Sequence, residues 1–156
     1  KVLSKDDVLT SDVIKYELSC LSKTLQKEIK YVLILQPTSP FRRIDQFNKA
    51  YKKLQSGYDS VISINEVKEH PFRMVTKDKK NNVKNFCKEV NFKPRQDLKK
   101  IFLRSGSMYF HKKTIFKKKR FSLGKKVFGI EVLGKYKTNI DTFDDYKSAL
   151  KFLKND

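Results

Sequence analysis

The sequence predicts an α/β fold, a mostly parallel sheet flanked by helices, and three observations carry that reading. Helix-period apolar stripes alternate with short apolar runs along the chain. Residues 31–64 read as strand, helix, strand with short connections, which is a parallel crossover unit. The length of 156 residues is that of one domain, enough to close one core.

The elements follow in order. Ile14, Leu18, Leu21 and Leu25 recur at i, i+4, i+7 and i+11, one apolar stripe of a helix capped by Thr10 or Ser11. Residues 31–35 are a continuous apolar run, too short for a helix and without alternation, so they read as a central strand covered on both faces. Thr38 or Ser39 caps a second helix with Pro40 at its first position, where the missing N–H costs nothing. Ile44, Phe47, Tyr51 and Leu54 form its buried stripe, Gly57 ends it, and residues 60–64 are the next strand. Residues 65–103 are polar and irregular, with Pro71, Pro94 and one weak strand at 83–86. Strands follow at 107–110 and 127–133, the second with Phe128, Ile130 and Val132 alternating. Residues 142–153 are a final helix with Phe143, Tyr146, Leu150 and Leu153 inward. Thr142 and Asp145 stand at capping-box spacing, with Asp in place of the usual Glu or Gln. The chain opens at Lys1, without Met and close to a helix, and reads as a piece of something longer.

Composition narrows the function classes. The longest apolar run is five residues where a membrane helix needs about 20. Two cysteines, Cys20 and Cys87, make no disulfide framework and read as core-side thiols. The first ten residues carry charges and no apolar stretch, so no signal peptide is expected and the setting is cytoplasmic and reducing. The net charge of +19 raises the possibility of nucleic acid. Yet 30 of the 36 basic residues are Lys, spread along the chain, whereas base and bidentate phosphate recognition favour Arg. The densest run is Lys117-Lys-Lys-Arg120. A solvated, Lys-biased surface accounts for the charge, and a basic nucleic-acid-binding module stays as an alternative.

The sharpest local feature is Leu35-Gln-Pro-Thr-Ser-Pro-Phe-Arg42, directly after the first strand. In open parallel sheets ligands bind beyond the carboxyl ends of strands. Two prolines fix this loop, Gln36 offers an amide, and Thr38 and Ser39 offer hydroxyls. The following helix N-terminus suits an anion. An ordinary capped strand-to-helix turn accounts for the same residues.

That run resembles the hallmark of the acylneuraminate cytidylyltransferases, the enzymes that join CMP to sialic acid and related nonulosonic acids. Other segments are similar to the family in order and spacing. They are the strand at 60–64 followed by Glu69-His-Pro71, the run Pro94-Arg-Gln-Asp97, the strand Arg104-Ser-Gly-Ser-Met-Tyr-Phe110, and Asn139-Ile-Asp-Thr-Phe-Asp-Asp145. Leu3-Ser-Lys-Asp6 and the helix after it fit the segment before the family's central strand. The resemblance covers nearly the whole chain. It implies a Rossmann-like nucleotide-diphospho-sugar transferase fold, incomplete at the N-terminus, because the family's Gly-rich CTP phosphate loop has no counterpart here. Residues 1–156 would then be one domain, the C-terminal part of the enzyme, with 65–104 an extension for dimerisation and substrate contact.

The resemblance also implies roles. Gln36, with Thr38 and Ser39, holds the sugar; the other reading of Gln36 is an amide that ties down its loop. Arg95 and Gln96 bind substrate, and an Arg pairs bidentately with a carboxylate. Ser107 and Tyr109 point to one face of their strand by the two-residue period, though Tyr109 also reads as a core residue. Asp141, with Asn139 two positions before it, is the Mg²⁺ ligand, and Asp141 is the catalytic carboxylate. Its other reading is a helix-start Asp favoured by the dipole. Asn139 stands where the family has Asp and brings no charge, and Ser105 stands for Asn. Asp145 reads as a capping partner and His70 as a turn residue; Thr10, Ser11 and Asp6 lie near the nucleotide by analogy only. The implied partners are CTP, a sialic-acid-like nonulosonic acid and a second copy in a homodimer, with neither membrane nor nucleic acid expected. A catalytically inactive relative is the further alternative.

Overall fold

The computed structural model describes residues 3, 5, 8–87, 94–117 and 122–154, and leaves the Arg95 side chain undescribed. Its centre is a four-stranded sheet made of β1 (Tyr31–Ile34), β2 (Ser60–Glu66), β5 (Phe102–Lys112) and β6 (Val127–Glu131), in the order β1-β5-β2-β6. A hairpin of β3 (Val75–Lys77) and β4 (Val83–Asn85) stands apart from it. The helices are α1 (Thr10–Cys20), α2 (Lys23–Glu28), α3 (Ile44–Gln55) and α4 (Phe143–Lys154).

The α/β class holds. β5 is antiparallel to both β1 and β2, while β2 and β6 are parallel, so β1, β2 and β6 all point one way. The crossover from β1 through α3 to β2 is present, but β5 lies between its two strands. Among the described residues β1 is an edge strand, with Leu33 half exposed, and not the central strand expected. The strand covered on both faces is β2, whose first four residues are all buried. The apolar run at 31–35 thus does not mark a covered strand: no residue of β1 is buried, and Leu33 and Leu35 are exposed.

The core lies between α3 and one sheet face. Ala50 and Leu54 of α3 meet Val61, Met108 and Ile130, with Phe47, Phe110 and Phe128 packed around them. Full burial of a Leu such as Leu54 is worth about 1.5–3 kcal/mol. The buried stripe of α3 is thus rotated from the expected one, since Ile44 is exposed and Tyr51 lies at the rim, edge-on to Tyr31 at 5.5 Å. The helix also starts at Ile44, not Pro40. Residues 37–38 turn instead, the Ser39 N–H donating to the Gln36 carbonyl, and residues 39–43 stay outside the helix, with Arg42 reaching back to the same carbonyl and to that of Ser107.

The first helix is two. Ser22 breaks the expected stripe by capping a new helix, its Oγ accepting from Leu25 N at 3.3 Å. Leu9, without a side-chain cap bond, precedes α1, so neither Thr10 nor Ser11 is its cap. The capping box of α4 forms as expected: Thr142 Oγ1 accepts from Asp145 N at 3.2 Å, and Asp145 Oδ2 accepts from Thr142 N at 2.9 Å. Its inward residue is Ala149; Phe143, Tyr146, Leu150 and Leu153 are exposed. Cys20 is exposed and Cys87 half-buried, both free. Among the described residues no helix is long and apolar enough to cross a membrane.

Candidate functional site

The site is set by a distortion in β5. Ile62 pairs with Tyr109 and Ile64 with Arg104, so residues 105–108 of β5 are spanned by Ser63 alone. Ser63 is buried and replaces the lost ladder bonds, its Oγ accepting from Met108 N at 2.9 Å and donating to Met108 O at 3.2 Å. A bulge of this kind bends its strand and re-aims side chains. Gly106 takes φ +79° at its crest, and a Cβ there would meet Gln36 Oε1 well inside contact distance. The positive φ favours glycine there, and any side chain would have to displace the Gln36 amide.

Arg42 clamps the loop from beneath. Its Nε donates to Ser107 O at 3.0 Å and its terminal nitrogen to Gln36 O, and burial lowers its pKa from the ordinary value. The Ile140 N–H donates to Thr38 O at 2.8 Å, which joins the 139–141 segment to the same loop. Two buried oxygens here have no hydrogen-bond partner among the described residues: Ser39 Oγ, in a side chain 1% exposed, and Asn139 Oδ1. Orphaned buried oxygens are uncommon and call for an explanation. Asn139 Nδ2 donates to Asp141 Oδ2 at 2.5 Å, and the Asp141 backbone N–H is held by Asp145 Oδ2 at 3.2 Å.

On the sheet face opposite α3 the start of α1, the end of β1 and β5 enclose a cavity of about 360 Å³. Gln36, Arg104, Tyr109 and His111 line it, with Thr10 and Ser11 from α1. His111 is 1% exposed and stacks beside Tyr109 with ring centroids 6.4 Å apart. Its Nδ1 lies 2.7 Å from Ser60 Oγ, and that hydroxyl lies 2.5 Å from the Leu123 carbonyl oxygen. A carbonyl only accepts, so Ser60 spends its one proton there and must accept from Nδ1–H. Burial pushes the His111 pKa down to about 4, so the ring is neutral at pH 7.

The expected site residues therefore fall into groups. Gln36 and Tyr109 share one cavity. Ser107 is buried behind it, 3.2 Å from Ser105 Oγ, and Thr38 and Ser39 belong to the loop's inner side. Asn139 and Asp141 lie together beyond Thr38. Gln96 is elsewhere: it is exposed and lines a separate cavity of about 580 Å³ with Glu66, His70, Lys100 and Lys137. Arg95 opens the 3₁₀ turn Arg95–Asp97 before it. His70 caps a 3₁₀ turn, its Nδ1 accepting from Phe72 N at 3.2 Å. Sequence reasoning missed His111 and gave Arg104 no role. The two-residue strand period that picked out Ser107 and Tyr109 also reaches His111.

In fold the chain is similar to the crystal structure of a 4-diphosphocytidyl-2C-methyl-D-erythritol synthase from Anaerococcus prevotii DSM 20548, with a TM-score of 0.60 and 16% identity. The match covers 98% of this chain and 74% of that one. It supports the α/β architecture. No family model matches the chain, and no curated protein matches it in sequence.

Proposed function

We propose that the chain belongs to a cytidylyltransferase that transfers CMP from CTP to a sialic-acid-like nonulosonic acid. The observation that carries the reading is that Gln36 and Tyr109, from two separated motifs of the acylneuraminate cytidylyltransferase resemblance, face one cavity. The structural neighbour is a 4-diphosphocytidyl-2C-methyl-D-erythritol synthase, which supports cytidyl chemistry on this architecture. In the reaction the anomeric hydroxyl oxygen of the sugar bonds to the α-phosphorus of CTP. The bond from that phosphorus to the bridging oxygen breaks, pyrophosphate leaves, and the hydroxyl proton passes to solvent.

Each residue then has a task. The Gln36 amide both donates and accepts and suits a polyol or acyl group. Tyr109 supplies a phenol and a flat wall, and Arg104 in the same cavity suits the sugar acid's carboxylate. Arg42 keeps the loop closed. Asn139 and Asp141 would hold Mg²⁺: the pair offers one neutral and one charged oxygen, hard donors, and the orphaned Asn139 Oδ1 is the kind of oxygen a cation satisfies. Among the described residues no group of three His, Cys, Asp or Glu could hold a metal, so water and substrate phosphates would fill the other positions. Bound there, the ion would neutralise charge developing on the phosphates.

Pyrophosphate release from CTP with a panel of nonulosonic acids, in the full-length gene product with Mg²⁺, tests this. Turnover with one acid, falling roughly 10²-fold or more in Asp141→Ala, is expected. CTP binding without turnover on any acid would make the chain the inactive relative instead. Neither binding nor turnover would overturn the cytidylyltransferase reading.

A further inference from the structure

Behind the wall that carries Phe116, a third concavity opens between α1, α2 and the 3₁₀ turn Lys113–Lys117, with a volume of about 580 Å³. Five of the side chains that line it are lysines: Lys15 from α1, Lys23 and Lys27 from α2, Lys113 and Lys117 from the turn. Among the described residues no carboxylate lines it. Lys15 Nζ lies 3.2 Å from Asp12 Oδ1. Lys23 and Lys27 stand four residues apart on α2, where like charges repel, and the 3₁₀ turn brings Lys113 and Lys117 to the same groove.

The walls are fixed to one another. Gln26 Nε2 donates to Leu21 O at 2.8 Å and Ser19 O at 3.3 Å, which ties α2 to the end of α1. Lys113 Nζ donates to the Gln26 carbonyl, which ties the turn to α2, and its ammonium keeps two further donors. A groove held this way confines the repulsion, and an anion seated in it removes the repulsion. We propose that this groove binds a free oligophosphate, a short chain of linked phosphates.

The donor set selects that class. Ammonium groups are point charges that meet phosphate oxygens in any orientation, and no Arg fork is present among the described lining residues to read a planar group. Among the described lining residues the one aromatic, Phe116, is 5% exposed, so it offers no platform on which nucleic-acid bases stack. The site is separate from the residues assigned to CMP transfer and does not depend on that reading.

Calorimetric titration with sodium tripolyphosphate tests the proposal on the full chain, beside a 20-nucleotide uridine RNA at equal phosphate concentration. The triple variant Lys23→Ala, Lys27→Ala, Lys117→Ala should weaken tripolyphosphate binding at least tenfold. The control Lys79→Ala, Lys80→Ala, Lys84→Ala, which removes the same charge from the β3–β4 hairpin, should leave it within about twofold. Thermal unfolding followed by circular dichroism checks that both triples fold. Equal weakening by both would assign the binding to net charge and overturn the site. Tighter binding of the RNA through the groove lysines would overturn the free oligophosphate in favour of a nucleic-acid backbone.

Discussion

Ser60 decides the chemistry of His111. Because its hydroxyl donates to the Leu123 carbonyl, His111 carries its proton on Nδ1, and burial keeps the ring neutral in the folded chain. The unfolded chain takes up a proton near pH 6.5, whereas the folded one resists it down to about 4. A depressed folded pKa contributes stability that is fully present above 6.5 and lost as pH falls towards 4. The whole effect is about 3 kcal/mol at 1.36 kcal/mol per unit. Urea midpoints should therefore fall between pH 7 and pH 4.5, and His111→Gln should flatten that fall. A fall as steep in the variant would place its cause in other groups. Asp78 and Asp145, whose pKa values are lowered by hydrogen bonds chiefly from Asn82 and Thr142, act in a different window, below the ordinary carboxylate value. Gly106 is the second residue on which the site turns. Gly106→Ala puts a side chain at positive φ and against Gln36, and should cost roughly 1–3 kcal/mol in a urea titration. Under the proposed function it should also raise KM for the sugar acid more than KM for CTP, because Gln36 is what it displaces.

At the level of elements, what the sequence disclosed was what is local. The Thr142–Asp145 box depends on residues three apart and forms as read. Thr142→Ala should lower stability by about 1 kcal/mol, measured by thermal unfolding, and should loosen the Asp141 backbone that Asp145 holds. A change below a few tenths would mean that α4 is held by packing alone. The break at Ser22 is local too, but there the apolar period of Leu18, Leu21 and Leu25 runs through a serine that caps instead of continuing. What stayed hidden is what arises between distant segments. Nothing in residues 102–106, a stretch of Arg, Ser and Gly after two apolar residues, announces that β5 runs antiparallel between β1 and β2. The bulge that follows is fixed by Ser63, more than 40 residues away. The same holds for the site. Gln36 and Tyr109 each sit in a motif of their own and share a cavity, whereas the placing of Gln96 in another cavity depends on how residues 96–101 pack against Glu66 and His70.

At the scale of the whole molecule two forces compete. The β3–β4 hairpin lies in the 65–104 segment that the family resemblance gives to dimer contact, and it leaves Val75, Val83 and Phe86 more than half exposed. Exposed apolar residues gathered on one element favour association. Against this, each chain carries +19, so two copies repel over roughly a Debye length, about 8 Å at physiological salt. The homodimer expected from the resemblance should therefore tighten as salt rises, because screening removes the repulsion and leaves the apolar contact. Oligophosphate binding in the lysine groove should weaken over the same range, since there salt screens an attraction. Sedimentation equilibrium at low and high salt measures the first, and calorimetry at the same two concentrations measures the second. Val83→Ser with Phe86→Ser should shift the chain to monomer while leaving the groove's affinity within about twofold. A chain monomeric at every salt concentration would remove the dimer and leave the hairpin's exposed apolar residues unaccounted for. A dimer that loosens with salt would mean that charge pairs, not the hairpin, hold the copies together.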